Sequence, residues 1–99
     1  MFIINLHYIV PLHKLDEHMG THVKFLSKYY KLGTFLVSGR KVPRTGGIIV
    51  AQASSKEALE EIIKEDPFHK HRLAEFTITE FLASQAHPEF KNMMGKLMR

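Results

Sequence analysis

Residues 34–53, TFLVSGRKVPRTGGIIVAQA, decide the fold because they place two apolar segments of strand length on either side of a turn. The first segment, TFLVSG (34–39), predicts one strand, and the second, IIVAQA (48–53), predicts another. The intervening residues 40–47 contain a proline and two successive glycines, which is typical of a turn. We therefore expect a strand–turn–strand unit at the centre of the chain.

On the N-terminal side, the pattern predicts a strand followed by a helix. Residues 2–10 alternate between one wholly apolar face and one mixed face, which indicates a strand buried on both sides. The mixed face carries Ile3, Asn5, His7 and Ile9. A helix is predicted from about residue 15 to residue 32, with Gly33 as its C-cap. Its apolar stripe consists of Leu15, Met19, Val23, Leu26 and Tyr30.

The C-terminal side repeats this order. Ser54 or Ser55 is expected to cap a second helix that runs to about Lys64. The inward-facing residues of this helix are Leu59, Ile62 and Ile63. Residues 74–82 alternate again and predict a fourth strand. The order β-α-β-β-α-β indicates an α+β, ferredoxin-like fold, in which a four-stranded antiparallel sheet carries both helices on one face.

The second face of this sheet must also be covered. Two helices can cover only one face, yet the strands carry apolar residues on both. An uncovered apolar face of this size would favour aggregation. We therefore predict a homodimer formed through the open sheet face, which is expected to bear Ile3, Ile9 and Ile49.

Residues 87–99 are predicted to form an amphipathic helical extension that begins at Pro88 and follows a ferredoxin-like domain at 1–86. Its apolar side chains at helical spacing are Phe90, Met93, Met94 and Leu97. Because basic residues flank this stripe, a helix lying on a membrane surface is the alternative. The short length and Gly95 favour packing against the domain or a partner subunit.

Composition narrows the possible functions. The chain of 99 residues suits one domain, and without cysteine it has no disulfide, thiolate ligand or thiol nucleophile. The apolar start lacks the features of a signal peptide and is too short to span a bilayer, so we expect a cytoplasmic protein that does not bind membranes. The formal net charge of +4 is too modest for a nucleic-acid module, so Arg40 or Arg44 is expected to bind a small anion instead.

Two residues are candidates for proton chemistry. His22 lies about 60° from Met19 around the first helix, beside the apolar stripe. It is therefore predicted to be half-buried, either as a boundary histidine or as a neutral imidazole held for proton transfer. Asp66 precedes Pro67, which makes it a natural N-cap for a short helical turn at residues 67–72.

Asp66 is also a potential partner of His22. If the two helices run side by side in the same direction, His22 lies about 10 Å along the first and Asp66 about 16 Å along the second, so the offsets differ by about one helical turn. The carboxylate would then fix the imidazole's tautomer and stabilise its protonated form. Capping and pairing compete for one carboxylate, although its two oxygens can serve both.

The other polar residues are weaker candidates for chemistry. No H-E-x-x-H motif and no third and fourth ligand accompany the histidines, so neither a metal site nor a cofactor is expected. Ser38 lacks a nucleophile-elbow setting and is expected to act as a hydroxyl donor near Arg40. His7 shares the mixed face of the first strand with Asn5, where it either lines a dimer cleft or pairs across it.

Four motifs, in this order, resemble the YciI-related (YCII) family over about residues 2–86. They are His22 followed by Val23 and Leu26, the strand GTFLVSG at 33–39, the sequence RTGG at 44–47, and EDPF at 65–68. The resemblance implies a dimeric α+β barrel, in which two ferredoxin-like sheets pack face to face, and an active site built from His22 and Asp66. Arg40 stands where many relatives have proline, so a shared substrate does not follow from the resemblance.

The residues and the resemblance together predict a small enzyme. Its Asp66–His22 dyad is expected to act as general acid or base in isomerisation, elimination or hydrolysis of a small anionic organic molecule. The expected substrate-binding residues are Ser38, Arg40, Arg44 and His7. Covalent catalysis fits less well because no activated serine or cysteine accompanies the histidine. The alternative is a non-catalytic homodimer that binds a small ligand or has a structural role, with the dyad stabilising the helix pair.

Overall fold

The computed structural model describes residues 1–94, which form four strands and five helices. The strands are β1 (Phe2–Tyr8), β2 (Phe35–Arg40), β3 (Gly46–Ala51) and β4 (Ala74–Glu80). The helices are α1 (Leu12–Asp16), α2 (Met19–Lys31), α3 (Lys56–Ile63), α4 (Pro67–Lys70) and α5 (Pro88–Met94). None of these helices is both long enough and apolar enough to cross a membrane.

The four strands form one antiparallel sheet in the order β2-β3-β1-β4. Strands β1 and β2, which α2 connects, are therefore separated by β3, and strands β3 and β4 are separated by β1. This arrangement confirms the predicted ferredoxin-like α+β fold. The ends of the strands differ from the predicted ends by up to two residues.

The core lies between the sheet and the helices. Alternate residues of β1 point into it, and Phe2, Ile4 and Leu6 are each no more than 2% exposed. The helices contribute Leu15, Phe25, Tyr29, Leu59, Ile63 and Phe68. Because burying one such side chain is worth about 1.5–3 kcal/mol, this covered face supplies the main hydrophobic stabilisation of the domain.

The single helix predicted for residues 15–32 is in fact two helices. The chain tightens at His18, whose N–H donates to the carbonyl oxygen of Leu15 three residues earlier at 2.9 Å. This short-range bond ends α1, and α2 begins at Met19. The predicted start of the helix was therefore wrong, because periodicity alone does not reveal such a turn.

Two residues of the apolar stripe predicted for this helix are exposed, because the residue before each of them is buried instead. Val23 is 49% exposed and Tyr30 is 38% exposed. The buried residues of α2 are His22, Phe25 and Tyr29. The rings of Phe25 and Tyr29 pack against Phe35, with centroid distances of 5.5 and 5.3 Å. This aromatic cluster buries more apolar surface than Val23 would, so the helix is rotated towards it.

The open face of the sheet does not carry Ile49, contrary to the prediction. Ile49 is paired with Ile4, and both side chains are buried beneath the helices. The apolar residues of β3 on the open face are Ile48 and Val50, next to Ile3 of β1. Because every residue from 48 to 51 is apolar, alternation in the sequence could not show which ones face the core.

Two helix starts are capped by the expected residues. The hydroxyl of Ser55 accepts a hydrogen bond from the N–H of Ala58 at 3.1 Å at the start of α3. The carboxylate of Asp66 accepts one from the N–H of Phe68 at 2.9 Å at the start of α4. Each cap satisfies a backbone donor that has no partner within its own helix.

The C-terminal helix α5 begins at the proline, as expected. The imidazole of His87 accepts a hydrogen bond from the N–H of Glu89 at 3.1 Å, which caps the first turn. Met94 is buried, whereas Leu97, the last residue of the predicted stripe, lies outside the described residues. The division of the chain after residue 86 stays a prediction.

Gly46 is tightly enclosed by the neighbouring strand, which gives a first testable prediction. A β-carbon at this position would lie 1.9 Å from the carbonyl oxygen of Leu6. Because that oxygen belongs to the backbone of a paired strand, Gly46→Ala is expected to lower the free energy of unfolding by about 2 kcal/mol or more. Chemical denaturation measures the difference.

Gly20→Ala is the matched control for this substitution. Nothing lies within 4 Å of a β-carbon at Gly20, and alanine is favoured over glycine within a helix by about 0.5–1 kcal/mol. The control should therefore be as stable as the wild type or more so. If Gly46→Ala were also fully stable, the close approach of β3 to β1 would be disproved.

Candidate functional site

The candidate site begins at the junction between α3 and α4, where Asp66 is fully buried. Its Oδ1 accepts the hydrogen bond of the Phe68 N–H at 2.9 Å and lies 2.8 Å from Nδ1 of His22. We expected the two carboxylate oxygens to divide the tasks of capping and pairing. Instead, the single oxygen Oδ1 does both.

The two helices that bring this pair together run in opposite directions, not in the same direction as expected. The strands that precede them, β1 and β3, are antiparallel, so α2 and α3 are also antiparallel. His22 lies near the start of α2, and Asp66 lies just after the end of α3. The pair therefore forms because these two helix ends meet, and the matched offsets assumed for parallel helices do not apply.

The imidazole of His22 is held by a hydrogen bond at its edge and by a stacked aromatic ring on its face. It is 9% exposed, which is more buried than expected for a residue beside the apolar stripe. Its ring stacks on Phe68, with a centroid distance of 4.0 Å and an angle of 4° between the planes. Phe68 in turn packs edge-on against Tyr8 at 6.2 Å. These contacts leave the imidazole little freedom to rotate.

The hydrogen bond to Asp66 also assigns the tautomer of His22. Because a carboxylate oxygen accepts hydrogen bonds, Nδ1 is the donor and Nε2 carries the free lone pair. Within residues 1–94, no group hydrogen-bonds to Nε2. The second nitrogen is therefore available to a bound molecule.

The second oxygen of Asp66 argues that this residue has more than a capping role. Oδ2 is buried, and no described residue hydrogen-bonds to it. Asparagine caps a helix about as well as aspartate, and burying a carboxylate costs several kcal/mol. A charged cap at this position is therefore hard to explain by capping alone. The contact with Nδ1 of His22 gives the buried carboxylate a second partner.

A cavity of about 470 Å³ lies between α2 and the sheet, and His22 is on its wall. Its apolar side chains are Leu6, Met19, Val23, Leu26 and Ile49. Its other polar side chains are Tyr8, Asp16, Ser38, Arg40 and Arg44. A mainly apolar cavity of this size with a few polar groups is typical of a small-molecule site.

The two arginines on this wall differ in their surroundings. Nη2 of Arg44 donates a hydrogen bond to Oδ1 of Asp16 at 2.7 Å, and this bond raises the pKa of Arg44 above its ordinary value. Arg40, the last residue of β2, has no carboxylate partner among residues 1–94. Ser38, expected near Arg40, shares a hydrogen bond with the hydroxyl of Tyr30.

The structure brings all but one of the predicted site residues together. His22, Ser38, Arg40 and Arg44 line the cavity, and Asp66 lies behind His22. His7 lies apart from them. It is exposed and sits opposite Gly46 and Glu75 on the open face of the sheet, where the first-strand alternation placed it.

Three residues that contribute to the site were not among the predicted ones. Asp16 lies near the start of the helix predicted for residues 15–32, and its partner Arg44 is 28 residues away in the chain. Tyr8 and Phe68 were treated as apolar residues of a strand and of the EDPF motif. Alternation along β1 puts Tyr8 on the same face as Leu6, so this residue at least had a signal in the sequence.

Glu65 links helix α2, which carries His22, to the α3–α4 junction, which carries Asp66. Its carboxylate accepts hydrogen bonds from Nζ of Lys28, at 2.7 Å, and from the hydroxyl of Tyr29. The hydrogen bond from Lys28 contributes most to holding the pKa of Glu65 below its ordinary value, and the bond from Tyr29 contributes next. Burial raises the pKa of Tyr29, and the bond to Glu65 raises it further. Helix α2 is thus tied to the α3–α4 junction beside His22 and Asp66.

The arrangement suits proton transfer at the cavity wall. An oriented imidazole presents Nε2, and Arg40 supplies a positive charge on the same wall. Across the described part of the chain, no group of three or more metal-ligating side chains is assembled. An imidazole oriented in this way can act as a general acid or base.

Comparison with known families gives a match to the YCII-related domain over residues 1–82. The chain belongs to the YCII-related family. The matched segment contains all of β1 to β4 and ends before α5. The resemblance predicted from the His22 and EDPF motifs is thereby confirmed.

A solved structure extends the comparison of this YCII-related protein at the level of the fold. It is 5-chloro-2-hydroxyhydroquinone dehydrochlorinase from Burkholderia phenoliruptrix in complex with 2,5-dihydroxybenzoquinone. The superposition has a TM-score of 0.69 at 17% sequence identity and covers 91% of this chain and 98% of that chain. At this level of identity, the similarity shows a shared fold. No curated protein matches the sequence significantly.

Two substitutions of Asp66 separate capping from pairing. Serine caps helices well but is too short to reach Nδ1 of His22. Asparagine has the shape of aspartate, and it must turn its oxygen towards the Phe68 N–H to keep the cap. Nitrogen NMR of His22 should therefore show the Nδ1–H tautomer in the wild type and in Asp66→Asn, and a mixture of tautomers in Asp66→Ser. An unchanged tautomer in Asp66→Ser would show that Asp66 does not set it.

Proposed function

We propose that this YCII-related protein is a small-molecule enzyme in which the Asp66–His22 dyad performs general acid/base chemistry. The observation that carries the proposal is the 2.8 Å contact between Nδ1 of His22 and Oδ1 of Asp66, with His22 on the wall of a cavity of about 470 Å³. Nε2 removes a proton from the bound molecule, and Asp66 stabilises the imidazolium that results. Return of that proton to another atom completes an isomerisation or assists a leaving group in an elimination.

The cavity supports a small anionic substrate. Arg40 has no carboxylate partner among residues 1–94, so its guanidinium can bind an anionic group of the substrate. A negative charge that develops on the substrate when His22 removes a proton would be stabilised by the same guanidinium.

Proton transfer has better support than covalent catalysis. Ser38 lies on the cavity wall, but its hydroxyl is hydrogen-bonded to Tyr30, with no contact to His22. A serine nucleophile needs an adjacent base to accept its proton. Hydrolysis would therefore have to use a water activated by His22.

The enzyme with the same fold supports elimination as the first reaction to test. It is named a dehydrochlorinase, so it removes the elements of hydrogen chloride from its substrate. Such a reaction needs a base for the proton, which is the role that the geometry gives His22.

A non-catalytic ligand-binding or structural homodimer is the second candidate. Asp66 caps α4, and His22 stacks on Phe68, so both residues stabilise the fold whether or not a proton is transferred. The two functions differ in what happens to a substrate proton.

Proton exchange in heavy water tests the proposed reaction. The probes are 5-chloro-2-hydroxyhydroquinone, followed by chloride release, and a series of small carboxylates with acidic C–H bonds, followed by deuterium incorporation. We expect turnover of at least one probe by the wild type. His22→Gln should lower its rate by about 10²–10⁴-fold, the usual contribution of a general acid or base. Asp66→Asn, which keeps the geometry and removes the charge, should lose less.

His13→Gln is the matched control, since it makes the same substitution at an exposed position of α1 that does not line the cavity. Its rate should equal that of the wild type. Undiminished turnover in His22→Gln would contradict the dyad. Binding of probes without any turnover would favour the non-catalytic alternative.

We also propose that the chain forms a homodimer through the open sheet face. The half-buried apolar residues on this face are Ile3, Ile48 and Val50. Val37, which is paired with Val50, is 57% exposed and extends the same surface. Ile9, also expected on this face, follows the end of β1 and is 49% exposed. Covering these side chains with a second sheet would remove a contiguous apolar surface from water.

A charge at the centre of this face tests the dimer. In sedimentation at micromolar concentration, the wild type should have the mass of two chains and Val50→Lys the mass of one, because a buried lysine without a partner opposes association. Leu32→Lys is the control, since Leu32 is 65% exposed at the end of α2, away from the open face. A single-chain wild type, or a Val50→Lys variant that stays dimeric, would disprove this interface.

A further inference from the structure

We propose that the cavity binds molecules with an apolar body and a single negative charge, and that Asp16 opposes a second negative charge on the ligand. The inference rests on the proposed function, because it names the substrate class of the same cavity. It follows from how the charged side chains on the wall offset one another and from how few polar groups the wall leaves available.

The charged groups leave one positive charge on the wall. Besides His22, the charged side chains that line the cavity are Asp16, Arg40 and Arg44. Nη2 of Arg44 donates to Oδ1 of Asp16 at 2.7 Å, so these two charges offset each other. Arg40 has no carboxylate partner within residues 1–94, and its charge remains to attract a ligand. One anionic group neutralises it.

A second anionic group on the ligand would meet Asp16. The only other guanidinium on the described wall is that of Arg44, and Asp16 already occupies its Nη2. A dianion that reaches for Arg44 therefore approaches a like charge, and because the side chain of Asp16 is 56% exposed the repulsion is modest. Asp16 thus opposes doubly charged ligands while it holds Arg44 in place.

The body of the ligand is expected to be apolar. Five apolar side chains line the cavity, from Leu6 on β1 to Ile49 on β3. Ser38 is already hydrogen-bonded to Tyr30, so it offers little to a hydroxylated ligand. A sugar-like body carries more hydroxyls than the Tyr8 hydroxyl and Nε2 of His22 can bind, so it would lose hydrogen bonds to water, whereas an aromatic or branched aliphatic body would gain from burial.

Phenyl sulfate and phenyl phosphate form a matched pair of probes. They have the same apolar ring and the same tetrahedral head group, but at about pH 8 the sulfate is a monoanion and the phosphate is mainly a dianion. Methyl phenyl sulfone supplies a neutral analogue. Calorimetric titration of the wild type should rank phenyl sulfate as the tightest of the three.

Asp16→Asn is the decisive variant, since asparagine can still accept the hydrogen bond of Arg44 but no longer offsets its charge. The ratio of the two dissociation constants should shift by about fivefold in favour of phenyl phosphate, the change expected when a partly exposed ion pair worth about 1 kcal/mol is removed. Glu17→Gln removes the same charge from the neighbouring residue, which is exposed and does not line the cavity, so it should leave the ratio unchanged.

The outcomes separate this inference from the proposed reaction. An unchanged ratio in Asp16→Asn, an equal shift in Glu17→Gln, or no binding of phenyl sulfate at millimolar concentration would each overturn it. Because titration measures binding without turnover, a wild type that ranks the probes as expected but exchanges no proton would leave the charge selection standing and remove only the catalytic role of the dyad. A wild type that exchanges protons but does not discriminate between the probes would remove the charge selection and leave the catalytic role of the dyad standing.

Discussion

One oxygen atom, Oδ1 of Asp66, couples the fold to the candidate site. It accepts the N–H of Phe68, which starts α4, and it orients the imidazole of His22. The ring of the same Phe68 then stacks on that imidazole at 4.0 Å. A displacement of α4 would therefore move the acceptor and the stacking ring together. The orientation of His22 therefore depends on the first turn of this short helix.

This coupling explains a carboxylate in an unfavourable position. An acid beyond the end of α3 faces the negative end of the helix dipole, which costs about 0.3–1 kcal/mol, and full burial adds a larger desolvation cost. The backbone donor at the start of α4 offsets part of this, but asparagine or serine would satisfy that donor without a charge. The remaining partner is His22, whose Nδ1 lies 2.8 Å from the same oxygen. Capping alone therefore does not explain a carboxylate at this position.

The sequence predicted the order of elements well because each element leaves a periodic signal, and the turns and caps between them have characteristic residues. It predicted relative placement less well. The antiparallel sheet already requires α2 and α3 to oppose each other, so the parallel helices were an error of topology that the sequence could have corrected. The faces of Ile48 and Ile49, by contrast, could not be predicted from the sequence, since an uninterrupted apolar run carries no alternation. His22 was placed beside the stripe because the stripe was drawn through Met19 and Val23, whereas the buried residues of α2 are His22, Phe25 and Tyr29. Stacking on Phe68 and bonding to Asp66 allow the burial of the histidine.

The charge of the cavity shows why a site cannot be inferred from residue types alone. Arg40 and Arg44 are equivalent in the sequence, and the formal net charge of +4 does not distinguish them. Their difference arises only when the end of α1 meets the segment between β2 and β3, because Asp16 then lies against Arg44 and not against Arg40. A contact between residues 28 positions apart therefore converts two like charges into one neutral pair and one guanidinium that has no carboxylate partner among residues 1–94. The net charge of the wall, and with it the charge of any substrate that it favours, is a property of the fold.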